Sequence, residues 1–292
     1  MTQQVVNGVF LGSIYALFAL GYTLVFGVLD MLNLAHQAVF MLCAFVALSL
    51  VAGLHLHILL AFPVAVVVAG MLGLLIERIA FRPLRRRANS NISGLISSLA
   101  LATLFESIAL GVWGPEVSRF PFGTIPARQL RIGGAVVQEL QLVIICVSIL
   151  MMVALTVLLR KTPLGRQIRA VAESGLAARV LGVHVDRVVA ASFFISSALG
   201  GAAGVLFGLA FNSISPDVGR SVELKGLAVI IVGGMGSMPG AVAAGFALGL
   251  LEVFTVARFG SSYRDAVSFA ALFLVLIAWP RGIFGGAQGR VA

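Results

Sequence analysis

Long apolar runs, each interrupted by a short polar cluster, dominate the pattern along this chain. The runs cover Val5–Val28, Ala38–Gly53, Ile58–Ile76, Ile92–Trp113, Leu140–Leu159, Val188–Phe211, Gly226–Val256 and Ala266–Trp279. Most approach or exceed the roughly 20 residues that a helix needs to cross a bilayer. None alternates residue by residue over about ten residues, as a transmembrane barrel strand would. A backbone in hydrocarbon must satisfy its own hydrogen bonds, so each run is expected to be helical. The expectation is an all-α, polytopic transmembrane helical bundle, a single domain over 1–292 with about eight helical segments, one of them interrupted.

Three segments are too polar or too flexible for their position. Asp30–Gln37 breaks the first two spans with Asp30, Asn33, His36 and Gln37. Gly233-Gly234-Met235-Gly236-Ser237-Met238-Pro239-Gly240 interrupts the seventh run, and glycines with a proline do not continue a helix. Irregular backbone at membrane depth is found where it is buried in protein or lines a cavity. Discontinuous helices of this kind frame transport pathways, and a tight turn at one membrane face is the competing reading. Asn33, His36, Gln37, Gly233, Gly234, Met235, Gly236 and Ser237 are therefore the candidates for lining a substrate pathway. The third segment, Arg160–Arg187, is far longer than a turn requires. Thr162-Pro163 has the form of an N-cap followed by proline at the first helical position. Leu164, Ile168, Val171 and Ala172 then share one helix face, and Arg166, Gln167, Arg169 and Glu173 the other. Gly175 ends or bends this helix, Leu176–Leu181 makes a second short one, and Gly182 closes it. Such a pair either rests on the lipid surface or docks a cytoplasmic partner.

Charge sharpens the topology. Charged residues are only 11% of the chain and hydrophobic ones 60%, with a net charge of +9. Soluble domains carry roughly twice that charged fraction, so a disordered chain, a coiled coil, a disulfide-rich secreted module and most soluble enzymes are excluded. Arg78, Arg82, Arg85, Arg86 and Arg87 fall in one loop, and Arg160, Lys161, Arg166, Arg169, Arg179 and Arg187 in another. Together they are eleven of the 20 basic residues, which marks both loops as cytoplasmic and removes any need to invoke nucleic acid. The N-terminus and the loop 114–139 are then outside. The C-terminus is inside if 226–256 makes a hairpin and outside if it crosses once. No positively charged leader precedes the first run, so no cleavable signal peptide is expected.

Little else carries chemistry. Cys43 and Cys146 lie in apolar runs without a partner motif and are read as buried small hydrophobes. His55 and His57 have no third ligand nearby, so no metal is expected. Ser237 with His36 is the only conceivable nucleophile–base pair, and nothing in their spacing supports it. Glu106 and Glu252 are the ionisable groups placed within spans, and such groups face a bundle interior or a cavity. The glycine-rich stretch has no following Lys-Ser/Thr, so it is not a phosphate-binding loop. Gly200, Gly204 and Gly208, and Gly245 and Gly249, recur every four residues, as in close helix packing.

With these residues in view the chain resembles the permease subunits of branched-chain amino acid ABC importers, of the LivH type. The resemblance runs over essentially the whole chain. Asn7-Gly8, Gly12–Leu17 and Ala19-Leu20-Gly21 match the family's opening helix, and Asn33-Leu34-Ala35-His36 its Asn-Phe-Ala-His motif. Gly165, Ile168-Arg169-Ala170, Ala177-Ala178, Leu181-Gly182 and Asp186-Arg187 match its coupling loop. Gly233–Ala241, Tyr263-Arg264-Asp265 and Pro280–Gly285 match its C-terminal third. Leu34 and Gln37 stand where the family usually has Phe and Gly, and Ser174 follows Glu173 where an acidic or amide residue is usual. The resemblance implies a multi-pass protein of the bacterial inner membrane that pairs with a second LivH/LivM-type permease. It implies two cytoplasmic ABC ATPase subunits and a periplasmic substrate-binding protein as partners, with surrounding membrane lipid. No cofactor is implied, ATP being bound by the partner subunits. Gly165, Arg169, Glu173, Ala177, Ala178 and Gly182 are the implied ATPase-coupling residues. The alternative from the residues alone is a secondary transporter or channel that works without an ATPase and uses Glu106 or Glu252.

Overall fold

The computed structural model describes residues 1–85, 90–121, 123–124, 128–132, 135–280 and 282–284. Arg86, Arg87, Arg281 and Gly285 lie outside the described residues. The described residues form eleven α-helices: α1 Thr2–Leu29, α2 His36–Ala52, α3 Ile58–Ile76, α4 Ser90–Trp113, α5 Glu139–Lys161, α6 Pro163–Glu173, α7 Gly175–Val180, α8 Val185–Phe211, α9 Val218–Gly233, α10 Met238–Phe259 and α11 Arg264–Ala278. A π-helical turn, Glu77–Phe81, extends α3. Among the described residues seven helices are long and apolar enough to cross a membrane, and α2 is a shorter apolar helix. The protein is therefore a multi-pass membrane helical bundle.

Three helices form its centre. Most residues of α1, α2 and α8 are buried, whereas in α11 only Ser268 is. Small residues make this possible. Gly8, Gly12 and Ala16 of α1 lie against Leu250, Phe246 and Gly245 of the antiparallel α10, and a methyl group added to Gly12 would come within 2.7 Å of the Phe246 Cα. On α8, Gly201 faces Ala69 and Cys43, and Gly204 faces the Phe40 carbonyl, so the helix sits in the groove between α2 and α3. Both glycine series thus serve packing within the chain, where dispersion and close approach replace a hydrophobic drive.

The outer helices turn apolar side chains outward. Leu99, Leu104, Ile108, Leu150, Val153, Phe273 and Leu274 are all exposed, as suits lipid or another transmembrane subunit. Cys146 belongs to this face. It is exposed on α5, which corrects the expectation of two buried cysteines; only Cys43 is buried. An apolar run alone does not distinguish a side chain covered by lipid from one covered by protein.

The two arginine-rich loops meet at one end, where Arg85 lies 3.4 Å from Asp186. That end is the cytoplasmic face by the charge rule. At the opposite end, strands β1 (Gln129–Ile132) and β2 (Ala135–Gln138) form an antiparallel hairpin pairing Gln129 with Gln138. The loop expected there thus contains a small two-stranded element. Ser118 and Ile214 exchange backbone hydrogen bonds of 2.8 and 2.9 Å, tying the loop after α4 to the end of α8. The run 226–256 is a hairpin: α9 begins eight residues earlier, at Val218, and a turn at Gly234–Ser237 leads into α10. The even number of crossings places residues 282–284 on the cytoplasmic side, where Ile283 N–H donates to the Val232 carbonyl at 2.8 Å.

Candidate functional site

The break after α1 is a re-entrant turn. Asp30 adopts a left-handed conformation (φ 56°) and its N–H closes α1 on the Phe26 carbonyl. The chain then doubles back. The Asn33 Oδ1 accepts from the Ala35 N–H at 3.2 Å, and the Ser98 Oγ of α4 accepts from the Leu34 N–H at 3.2 Å. His36, the first residue of α2, packs against Gly21 of α1 and Gly200 of α8. Gly21 lies eight residues before the end of α1, so α2 starts about 12 Å inside the bundle. The first turn of α9 arrives at the same place, with Gly219 against the Gln37 carbonyl. Two helix N-termini therefore meet within the membrane-embedded part of the protein.

The polar side chains at this junction are buried, and some of their atoms lack partners. Asn33, His36 and Gln37 are 2%, 1% and 7% exposed. The His36 ring stands between Phe18 (4.8 Å between ring centroids) and Tyr22 (5.4 Å). Neither His36 nitrogen nor Asn33 Nδ2 makes a well-formed hydrogen bond among the described residues, and the Tyr22 hydroxyl and the Glu223 carboxyl face each other beside them. Each such group costs about 1–3 kcal/mol when left unsatisfied. Tyr22 and Glu223 were not among the residues singled out from sequence. Tyr22 lies within the first apolar run, and Glu223 precedes the start assigned to the seventh.

The glycine break lies elsewhere. Gly233 ends α9 against Gly240, and Gly234 and Gly236 have φ of 95° and 85°. Gly219 and Gly233 stand at opposite ends of α9, about 21 Å apart along its axis. Gly233, Gly234 and Gly236 are buried, Met235 is exposed, and Ser237 caps α10 by accepting from the Gly240 N–H at 3.2 Å. The turn packs on Gly282. The structure thus brings Asn33, His36 and Gln37 together and sets Gly233–Ser237 at the cytoplasmic end. The separation also parts Ser237 from His36.

The cytoplasmic helices form as the residue pattern predicts. Thr162 Oγ1 accepts from the Gly165 N–H at 3.1 Å and Ser174 Oγ from the Ala177 N–H at 3.2 Å, capping α6 and α7. Ile168, Val171 and Ala172 are buried. Gly165 fits directly under the Leu158 and Leu159 carbonyls of α5, and Arg169 donates to the Leu159 carbonyl. Gly165, Arg169 and Ala178 thus hold the element together, while Glu173, Ala177 and Gly182 face outward. Sequence reasoning missed the strongest surface feature here: Leu176, Val180 and Leu181 are 76%, 81% and 81% exposed. Their signal was the recurrence of large apolar residues at 176, 180 and 181, about one helical turn apart, on either side of Arg179.

Nearby, Arg85 bridges the two basic loops. It pairs with Glu77 and lies near Asp186. Burial draws its guanidinium below the ordinary value, against the opposing pull of Glu77 and then Asp186.

The two carboxylates that the sequence placed within spans are engaged. Glu106 accepts from Arg220 at 2.8 Å. Glu252 is wholly buried and accepts from Lys225 (2.8 Å), Arg264 (2.6 Å) and Tyr15 (2.9 Å); Lys225 also reaches Asp265 at 3.0 Å. This cluster joins α1, α9, α10 and α11.

Comparisons with known proteins bear on the whole chain. A family model described as "Branched-chain amino acid transport system / permease component" matches residues 4–276. The chain is 35% identical to the high-affinity branched-chain amino acid transport system permease protein BraD of Pseudomonas aeruginosa, over 97% of this chain and 95% of that one. It is 36% identical to the corresponding protein LivH of Escherichia coli K12, with the same coverage. In fold it is similar to PsaBC from Streptococcus pneumoniae in complex with Fab, with a TM-score of 0.52 at 13% identity over 96% of this chain and 92% of that one. By the extent of the family match and of these two relatives, the chain belongs to the family of branched-chain amino acid transport system permease components.

Proposed function

We propose that this chain is a permease subunit of an ATP-driven ABC importer that moves branched-chain or related amino acids across the bacterial inner membrane. It works beside a second LivH/LivM-type permease, with two cytoplasmic ATPases supplying the energy and a periplasmic binding protein supplying substrate. The observation that carries the reading is the capped α6–α7 element, which presents Leu176, Val180 and Leu181 to the cytoplasm while its other face is fastened to α5. An apolar patch of that kind on a basic, wet face marks a protein contact. No cofactor of its own belongs to this reading.

The substrate pathway in this proposal passes the junction of Asn33, His36 and Gln37. Unpartnered polar groups within a membrane bundle are costly and mark functional places. A secondary transporter using Glu106 or Glu252 is the weaker reading, because a coupling carboxylate must be free to exchange its ion and both are ion-paired; the buried Glu223, which has no ion pair among the described residues, is the carboxylate such a transporter would have to use.

The test reconstitutes the chain with its partners. Leu176→Asp/Leu181→Asp should lower the amount of co-purifying ATPase at least tenfold while leaving membrane insertion intact. Amino acid uptake should require ATP and the ATPases. Uptake driven by an ion gradient in liposomes holding this chain alone would overturn the proposal.

A further inference from the structure

A groove at the cytoplasmic end of α3 and α8 has the shape and polarity of a phospholipid. Met71, Leu75, Arg78 and Arg82 follow one another at spacings of four, three and four residues, so they form a single stripe down α3 and its π-helical turn. The stripe is apolar within the membrane and cationic at its edge. The π turn, in which the Arg82 N–H reaches back to the Glu77 carbonyl at 2.7 Å, is a local irregularity of the sort found at functional sites. Arg187 and Ala190 of α8 supply the facing wall, cationic below and small above. The open groove has a volume of about 460 Å³, within the size range of ligand clefts.

The charge balance leaves the groove cationic. Its two carboxylates, Glu77 and Asp186, are both drawn to Arg85 on the inner side. Arg78, Arg82 and Arg187 are exposed and form no ion pair among the described residues. Arg82 also faces the adjoining cavity lined by Arg179 and Gly182 of the coupling loop. Basic pockets between transmembrane helices on the cytoplasmic side hold anionic headgroups, and the exposed Met71 and Leu75 lie where acyl chains would descend.

We infer that the groove between α3 and α8 is a binding site for an anionic phospholipid of the cytoplasmic leaflet, its phosphate held by Arg78, Arg82 and Arg187 and its acyl chains by Met71 and Leu75. The site touches the coupling loop at Asp186 and Arg187, so its occupancy bears on how that loop is held.

The full chain is reconstituted into vesicles of equal phosphatidylglycerol and phosphatidylcholine and then extracted in mild detergent. Lipid retained per protein is counted by native mass spectrometry. The wild type should retain phosphatidylglycerol in preference, and Arg78→Gln, Arg82→Gln and Arg187→Gln should each reduce that preference about fivefold. Leu75→Glu, which keeps all three arginines, should also reduce it, and Lys161→Gln should not. Equal retention of the two lipids, an equal effect of Lys161→Gln, or full displacement by soluble glycerol phosphate would overturn the inference. So would arginine variants that keep the lipid and lose only the ATPases, since the groove would then be a protein contact.

Discussion

Glu252 offers the sharpest test of how this bundle tolerates charge. Its carboxylate is fully enclosed and accepts from Lys225, Arg264, Tyr15 and, at 3.3 Å, Ser268. Glu252→Leu removes the acceptor of all four of these bonds and leaves two cations in place. Removing one partner of a buried pair costs about 3–5 kcal/mol. The lower part of that range is expected, because Lys225 keeps Asp265 at 3.0 Å and Arg264 keeps the Tyr15 hydroxyl at 3.1 Å. For a chain of this size each kcal/mol moves the midpoint of unfolding by roughly 2–4 °C, so a fall of about 6–12 °C is expected. Glu252→Leu/Lys225→Met removes the stranded cation as well and should recover about half of the loss. Glu252→Gln, which keeps an acceptor but not the charge, should fall between wild type and Glu252→Leu. The measurement is thermal unfolding in detergent, followed by the fraction that remains monodisperse. A Glu252→Leu protein as stable as wild type would refute the reasoning, and so would a double variant no better than the single one. ATP-dependent transport by the double variant, assayed below its midpoint, should persist, since the cluster is assigned a structural role.

Two further predictions concern packing and the cytoplasmic edge. Gly249→Val drives a side chain into the backbone of Gly12 and should cost about 1–3 kcal/mol, whereas Gly111→Ala on the open face of α4 should be neutral or stabilising by up to about 1 kcal/mol; thermal unfolding of the pair checks both. Glu77→Ala leaves the largely buried Arg85 with Asp186 alone and should lose about 1–3 kcal/mol, and addition of Arg85→Met should restore part of it by the same assay.

Much of this architecture was legible beforehand, for identifiable reasons. The runs Ile58–Ile76 and Ile92–Trp113 gave helix positions to within a few residues, because a span announces itself by length and apolarity. The capped pair α6–α7 was visible because Thr162, Pro163 and the face pattern act locally. The start of α9 was not, since Glu223 and Lys225 look like the end of a polar loop. Only the fold reveals that Lys225 is neutralised by Glu252 from a helix 27 positions away in sequence. The same limit applied to the pathway candidates. Asn33-Leu34-Ala35-His36 and the Gly233–Ser237 stretch both break a helix, and sequence alone could not tell a re-entrant turn deep in the bundle from a tight turn at its edge. Tyr22 was invisible for the opposite reason, as one aromatic among many in an apolar run.

The fastening of α6 to α5 has a mechanical consequence. The Thr162 cap, the fit of Gly165 beneath two carbonyls and the Arg169 bond leave no flexible link at the corner. The corner behaves as a bell crank. Any torque received by the short arm must appear in the long one, which is 23 residues, or about 34 Å, in length. A rotation of about 5° at the cytoplasmic pivot would sweep the far tip of α5 through roughly 3 Å, close to the width of an amino acid backbone. On the proposed function, a corner held in this way would let the outer end of the bundle register, with leverage, what happens in the cytoplasm.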